Sequence, residues 1–187
     1  MTDAERLKIL SDAGRTVYAL RDLRRLWRMR PETAKIAAKR MVDRRLLHRA
    51  ARGYLTLKPD FDSLELANLI ISPSYVSLFS ALAYHGLSFQ ARGAVTSVAL
   101  LNYRRSAAGL EFRYYAMKPA LFYNLEDVPF GGKAAVAGPE RALLDALYFG
   151  LLPDIDNPDK LDPDRLLRLG AYYPLAVLRR AERYLSR

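Results

Sequence analysis

Pro31 stands between two helical stripes and prevents them from being one helix. Upstream, Leu20, Leu23, Leu26 and Trp27 recur at helical spacing, with Arg21, Arg24, Arg25 and Arg28 between them. Downstream, Ala34, Ala37, Ala38 and Met41 fall on one face. A proline inside a helix removes a backbone hydrogen bond and clashes with the preceding turn, whereas in the first turn its missing N–H costs nothing. The chain must therefore turn at Met29-Arg30 and begin a new helix at Pro31. The small residues let that helix lie close across its neighbour. Its other side carries Glu32, Ile36, Lys39, Arg40 and Asp43, flanked by Thr33, Lys35 and Arg44. A helix that is small and apolar inside, long and polar outside, has the build of a recognition helix, whose first residues lie nearest the base edges.

The flanking segments extend the pattern. Residues 3–13 predict a first helix with Leu7 and Leu10 on one face, ended by Gly14. Thr16–Ala19 is β-prone, and Leu46–Leu57 reads as two short strands around a turn at Gly53. Helix, strand, helix, recognition helix and hairpin occur in the order of a winged helix–turn–helix. On that reading Thr33, Lys35, Lys39 and Arg40 are expected in a DNA groove, and Arg44, Arg49 and Arg52 on the phosphate backbone.

Charge divides the chain at the same place. Residues 1–58 hold 16 Lys+Arg against six Asp+Glu, while residues 59–187 hold 14 of each, so the whole net charge of +10 lies in the first third. A basic unit joined to a neutral one suggests a polyanion reader plus a second function. The chain has no Cys, which excludes disulfides, thiolate metal sites and cysteine nucleophiles. With no apolar leader after Met1, a cytoplasmic protein is expected. Leu66–Ala91 lacks charge for long enough to span a bilayer, but Pro73 and Gly86 punctuate it. It reads as buried core, not membrane.

Beyond a short linker at Lys58-Pro59-Asp60, residues 59–187 predict a mixed α/β domain with an antiparallel sheet and flanking helices, making the chain α+β overall. Helices are expected within Phe61–Ile71, over Leu78–His85 with Ser74 or Ser77 as its cap, over Gly138–Phe149, after Asp162-Pro163, and over Pro174–Arg187. Val95–Tyr103 and Leu110–Met117 read as two strands, and Lys133–Ala137 as a third. Signs of catalysis are few. His85 ends an apolar helix face and reads as a packed or carbonyl-bonded histidine. Asp154, Asp156, Asp159, Asp162 and Asp164 mimic a calcium loop, but a Gly and the closing Glu are missing from the required positions. Glu111, Glu140 and Lys118 are the residues from which a nuclease-like cluster would have to be built. No catalytic residue, metal ligand or cofactor is expected, and hence no enzyme. Ten of the twelve Tyr lie in this domain, a bias common at interfaces and in cores alike.

Four segments of the second domain, in order, resemble the AbiEi-type antitoxin family. They are Ser72-Pro73-Ser74-Tyr75-Val76-Ser77-Leu78-Phe79-Ser80-Ala81-Leu82-Ala83-Tyr84-His85-Gly86-Leu87, then Val95-Thr96-Ser97-Val98, Lys118-Pro119-Ala120-Leu121-Phe122 and Ala137-Gly138-Pro139-Glu140-Arg141-Ala142-Leu143-Leu144-Asp145. Arg141 stands where the family usually has Lys. The resemblance implies an antitoxin that counteracts a nucleotidyltransferase toxin, directly or indirectly. It also implies an autorepressor binding a double-stranded operator, as two copies on an inverted repeat. The alternative is a stand-alone transcriptional regulator whose second domain senses a ligand or dimerises. The motif residues themselves read as helix starts and core faces.

Overall fold

In a computed structural model, which describes all residues except Ala91, Arg92, Phe130, Gly131, Ser186 and Arg187, Pro31 opens a helix as its position requires. The first elements are helix α1 (Asp3–Asp12), strand β1 (Val17–Ala19), helices α2 (Leu20–Leu26) and α3 (Pro31–Asp43), and the hairpin strands β2 (His48–Ala51) and β3 (Tyr54–Thr56). Thr2 and Glu5 form a reciprocal cap at the start of α1, and Gly14 follows it at φ +67°. The three strands make an antiparallel sheet in the order β1-β3-β2. On α3 the residues Ala34, Ala37, Ala38 and Met41 are buried against Leu10, Tyr18, Leu23, Trp27, Leu47 and Leu55, forming a first core.

The remaining elements are α4 (Ser63–Ile70), β4 (Ser74–Val76), α5 (Leu78–Tyr84), β5 (Ala94–Ala99), β6 (Tyr103–Ala107), β7 (Leu110–Ala116), α6 (Pro119–Phe122), α7 (Pro139–Tyr148), α8 (Pro163–Gly170) and α9 (Leu175–Leu185). The fold is α+β. No helix among the described residues is long and apolar enough to cross a membrane. The uncharged stretch is divided among α4, β4 and α5, and its last residue, Ala91, lies outside the described residues. The expected C-terminal helix ends at Leu185 within them; Ser186 and Arg187 lie outside.

Four expectations need correction. The strand expected over Val95–Tyr103 is two strands, β5 and β6, which do not pair with each other. Ala108 and Gly109, both at positive φ, close a two-residue hairpin between β6 and β7. That hairpin brings β7 between β6 and β5, so the order is β4-β5-β7-β6 and the central β5–β7 pair is parallel. The sheet is mixed, not purely antiparallel. The strand expected over Lys133–Ala137 shrinks to one parallel bridge, Val76 to Val136, because α7 begins at Pro139. Neither serine caps α5 through its side chain: Ser74 donates to the Ile71 carbonyl at 2.6 Å and Ser77 to Asp145 at 2.7 Å.

The two parts of the chain are packed together. Strand alternation sends Tyr18 and Leu55 into the first core, and Val17, Ala19 and Tyr54 into the second. The buried Glu65 carboxylate accepts from the Thr16 N–H at 2.8 Å and its hydroxyl at 2.7 Å, and the Asp62 N–H donates to that hydroxyl at 2.9 Å. The Tyr54 hydroxyl and the Arg21 guanidinium both donate to the Leu69 carbonyl at 3.3 Å.

A polar cluster occupies the centre of the second core. Arg141 and Asp145, one helical turn apart on α7, are both fully buried, with Arg141 Nε 3.3 Å from Asp145 Oδ1. Asp145 also accepts from the Tyr173 hydroxyl at 2.6 Å and the Ser77 hydroxyl at 2.7 Å. Arg141 donates to the Tyr75 hydroxyl at 3.0 Å and to the carbonyls of Leu121 at 3.0 Å and Asn124 at 2.6 Å. Thr96 donates to the Ser77 carbonyl at 2.8 Å. Each of the four segments quoted above therefore contributes to this cluster or to its immediate support. Burial pushes the Asp145 carboxyl up against the opposing pull of Arg141, and pushes both tyrosines well above their usual range.

Removing one member of a buried pair leaves the other charge uncompensated. Asp145→Ala is expected to cost about 3–5 kcal/mol of stability. Tyr173→Phe, which deletes one hydrogen bond to a charged group, should cost about 1.5–3 kcal/mol. Urea unfolding curves check both; midpoints equal to the wild type would contradict this account of the core.

Candidate nucleic-acid interface

The buried alanines of α3 determine which of its residues reach solvent. Glu32, Thr33, Lys35, Ile36, Lys39, Arg40 and Asp43 are all exposed. Beside α3 the β2–β3 hairpin folds back, and between them lies a cleft of about 530 Å3. Lys35 and Lys39 line it from the helix, and Arg49 and Arg52 from the hairpin. Its floor is apolar, built from Leu20, Ala38, Val42, Tyr54 and Leu55, with Ile36 and Glu32 at the rim. None of those four cations has an ion-pair partner among the described residues.

The other three expected site residues lie elsewhere. Thr33, Arg40 and Arg44 are exposed but share the opposite flank of α3, as helical spacing dictates. Arg44 there meets Asp3 of α1 at 3.0 Å, an exposed pair of the kind that contributes about 0–1 kcal/mol. The seven residues thus form two groups, four around the cleft and three on the α1 side.

The tip of the hairpin is held from two sides. The Leu20 N–H donates to the Gly53 carbonyl at 2.9 Å. From the second sheet, Arg105 donates to the Arg52 carbonyl at 3.3 Å, and its guanidinium lies over the Tyr54 ring, 5.5 Å from the centroid. Sequence gave Arg105 no role, since its register on β6 decides which way it points. Register facing Phe112 places it on the side of the sheet nearest the hairpin, while its neighbour Arg104 faces away with Arg113.

The residues considered for catalysis are engaged separately. His85 bonds the Ala137 carbonyl through Nε2 at 2.9 Å. Glu140 is buried and accepts from the Asp162 N–H at 2.8 Å. Glu111 sits between Arg104 and Arg113, each at 2.5 Å, and the Arg113 hydrogen bond, aided by Arg104, holds its carboxyl below the usual range. In the acidic segment, Asp156 and Asp154 accept from Phe89 and Gln90, and Asp162 caps α8. No group of three His, Asp or Glu among the described residues is placed to hold a metal ion.

No family model matches the chain, and no curated protein does.

Removing the Arg105 contact should loosen the hairpin tip without unfolding the cores. In Arg105→Ala, amide exchange over residues 49–54 is expected to speed up while that of α3 stays unchanged, as read by hydrogen–deuterium exchange. Unaltered exchange at the tip would show that Arg105 does not hold it.

Proposed function

We propose that residues 1–58 are a winged helix–turn–helix that binds duplex DNA, and that the chain is an antitoxin and autorepressor of its own operon. The observation that carries the DNA reading is the cleft. It gathers two cations from α3 and two from the hairpin on one side of the molecule, against the single carboxylate of Glu32, and none of the four is ion-paired among the described residues. The order α1-β1-α2-α3-β2-β3 and the β1-β3-β2 sheet support the same reading. In this arrangement α3 enters the major groove, Lys35 and Lys39 approach the bases, and Arg49 and Arg52 straddle the adjacent backbone. Thr33, Arg40 and Arg44 flank the far side.

The antitoxin reading rests on the resemblance of the second domain to the AbiEi type, with a nucleotidyltransferase toxin as the agent counteracted. What supports it in the fold is that the four resembling segments, far apart in sequence, meet around Arg141 and Asp145. They act together as one structural unit, and no catalytic role is assigned to them.

Binding to the duplex upstream of the chain's own reading frame should weaken steeply with salt, because each neutralised phosphate adds about −0.9 to the log–log slope. Arg49→Ala and Arg52→Ala should each flatten that slope by about 0.9 and weaken upstream and random DNA alike. Lys39→Ala should narrow the ratio between the two DNAs. Fluorescence anisotropy across a salt series measures all of this, and a salt-independent affinity would refute the DNA reading. The other half predicts a nucleotidyltransferase reading frame beside that of this chain: co-expression with it should restore growth, and the lack of such a frame or a culture left unprotected would refute the antitoxin reading.

A further inference from the structure

Ile36 is the large apolar side chain that α3 leaves in water, 54% exposed. It lies opposite the buried line of Ala34, Ala37, Ala38 and Met41, one turn after Glu32 and just before Lys39. The cleft it borders is lined by Lys35, Lys39, Arg49 and Arg52. With four cations against the one carboxylate of Glu32, this lining favours an anionic partner, and Ile36 favours one that also presents an apolar group. Phosphates and sugars supply the first requirement. In the major groove, most base-edge groups are polar donors or acceptors; the C5-methyl of thymine is the apolar one.

We infer that Ile36 is a specificity-determining residue that packs on thymine C5-methyl groups in the major groove. The inference rests on the DNA-binding reading above and adds to it a base preference. Lys35 and Lys39 bring the helix to the groove, and Ile36 rewards thymine where it lands. Burying one methyl against an aliphatic side chain corresponds to roughly a fourfold gain in affinity.

The test uses the full chain and the duplex upstream of its reading frame, prepared once with thymidine and once with deoxyuridine throughout. Uracil differs from thymine only in lacking the methyl. The wild type should bind the thymidine duplex about fourfold or more tighter than the deoxyuridine duplex. Ile36→Ala, which keeps only one methyl to set against the thymine methyl, should lower that ratio towards one. Because Ile36 is exposed, its replacement leaves the core intact, and an unchanged unfolding midpoint confirms this. Equal wild-type binding to the two duplexes overturns the inference alone. A thymidine preference undiminished in Ile36→Ala also overturns it, as does a change of oligomeric state in that variant with no change in the ratio. A wild type that binds neither duplex overturns the DNA reading, and this inference with it.

Discussion

The buried pair of Arg141 and Asp145 constrains more of this molecule than any other contact. Taking two charges out of water costs several kcal/mol per ion. That cost is offset only if their remaining hydrogen bonds are made. Here the partners come from β4, from the start of α5, from α6 and the residues after it, and from the turn before α9. Four separate stretches of chain, α7 itself included, must reach their native places before the cluster is satisfied. An apolar core of the same volume would bind them with less discrimination. The cluster therefore acts more on the uniqueness of the arrangement than on its free energy. Arg141 Nε, which faces Asp145 without a well-aligned hydrogen bond, marks where the fit is least complete.

From that cluster a continuous series of contacts runs to the basic face. Tyr75 lies on β4, which pairs with β5, which pairs with β7. Tyr114 of β7 donates to the Ala67 carbonyl at 2.7 Å and so fixes α4. Glu65 of α4 grips Thr16 beside β1, and Arg105 of β6 grips the hairpin tip. The first sheet is thus held by residues 59–187 beside its β1 edge and at the hairpin tip, and two of its strands contribute to the second core. The orientation of Arg49 and Arg52 relative to α3 is a property of the whole chain, not of residues 1–58 alone.

Several helices are legible from a proline, a cap or a 3.6-residue stripe: Pro31, Pro139, Pro163 and the alanine face of α3 each appear as expected, whereas the four-residue α6 opened by Pro119 is too short to show a stripe. The hairpin was legible from Gly53. The second sheet was read less well, for a physical reason. Strand pairing is non-local, and nothing in Val95–Tyr103 shows that the chain bends after Ala99 or that β7 will insert beside β5. Alternation gives the two faces of a strand but not its neighbours. The same limit hid Arg105, whose direction depends on its pairing with Phe112. It also hid the role of Ser77, whose hydroxyl serves a carboxylate 68 positions away instead of the helix that follows it. The split of the seven expected site residues is different: helical geometry alone separates Thr33, Arg40 and Arg44 from Lys35 and Lys39, and only the position of the hairpin says which side the cleft lies on.

The net charge of each part also has a structural meaning that counting does not give. Among the described residues of 59–187, five cations are paired with carboxylates of the same part. Arg141 is buried with Asp145, Arg104 and Arg113 share Glu111, Arg165 meets Asp127, and Arg168 meets Glu126. Those pairs fix loops and strands and leave little field outside. In the first part, Arg6 and Arg44 are paired with Asp3, while Lys35, Lys39, Arg49 and Arg52 are not paired at all among the described residues. One face of the first sheet is covered by the second core, and the cleft on the side of α3 and the hairpin gathers these four cations. Repulsion among them is tolerable because water screens exposed charges beyond about 10 Å at ordinary ionic strength. The backbone that carries Arg49 and Arg52 is fixed at the hairpin tip by Leu20 and Arg105, so the spacing between these charges and α3 is set by the packing behind them.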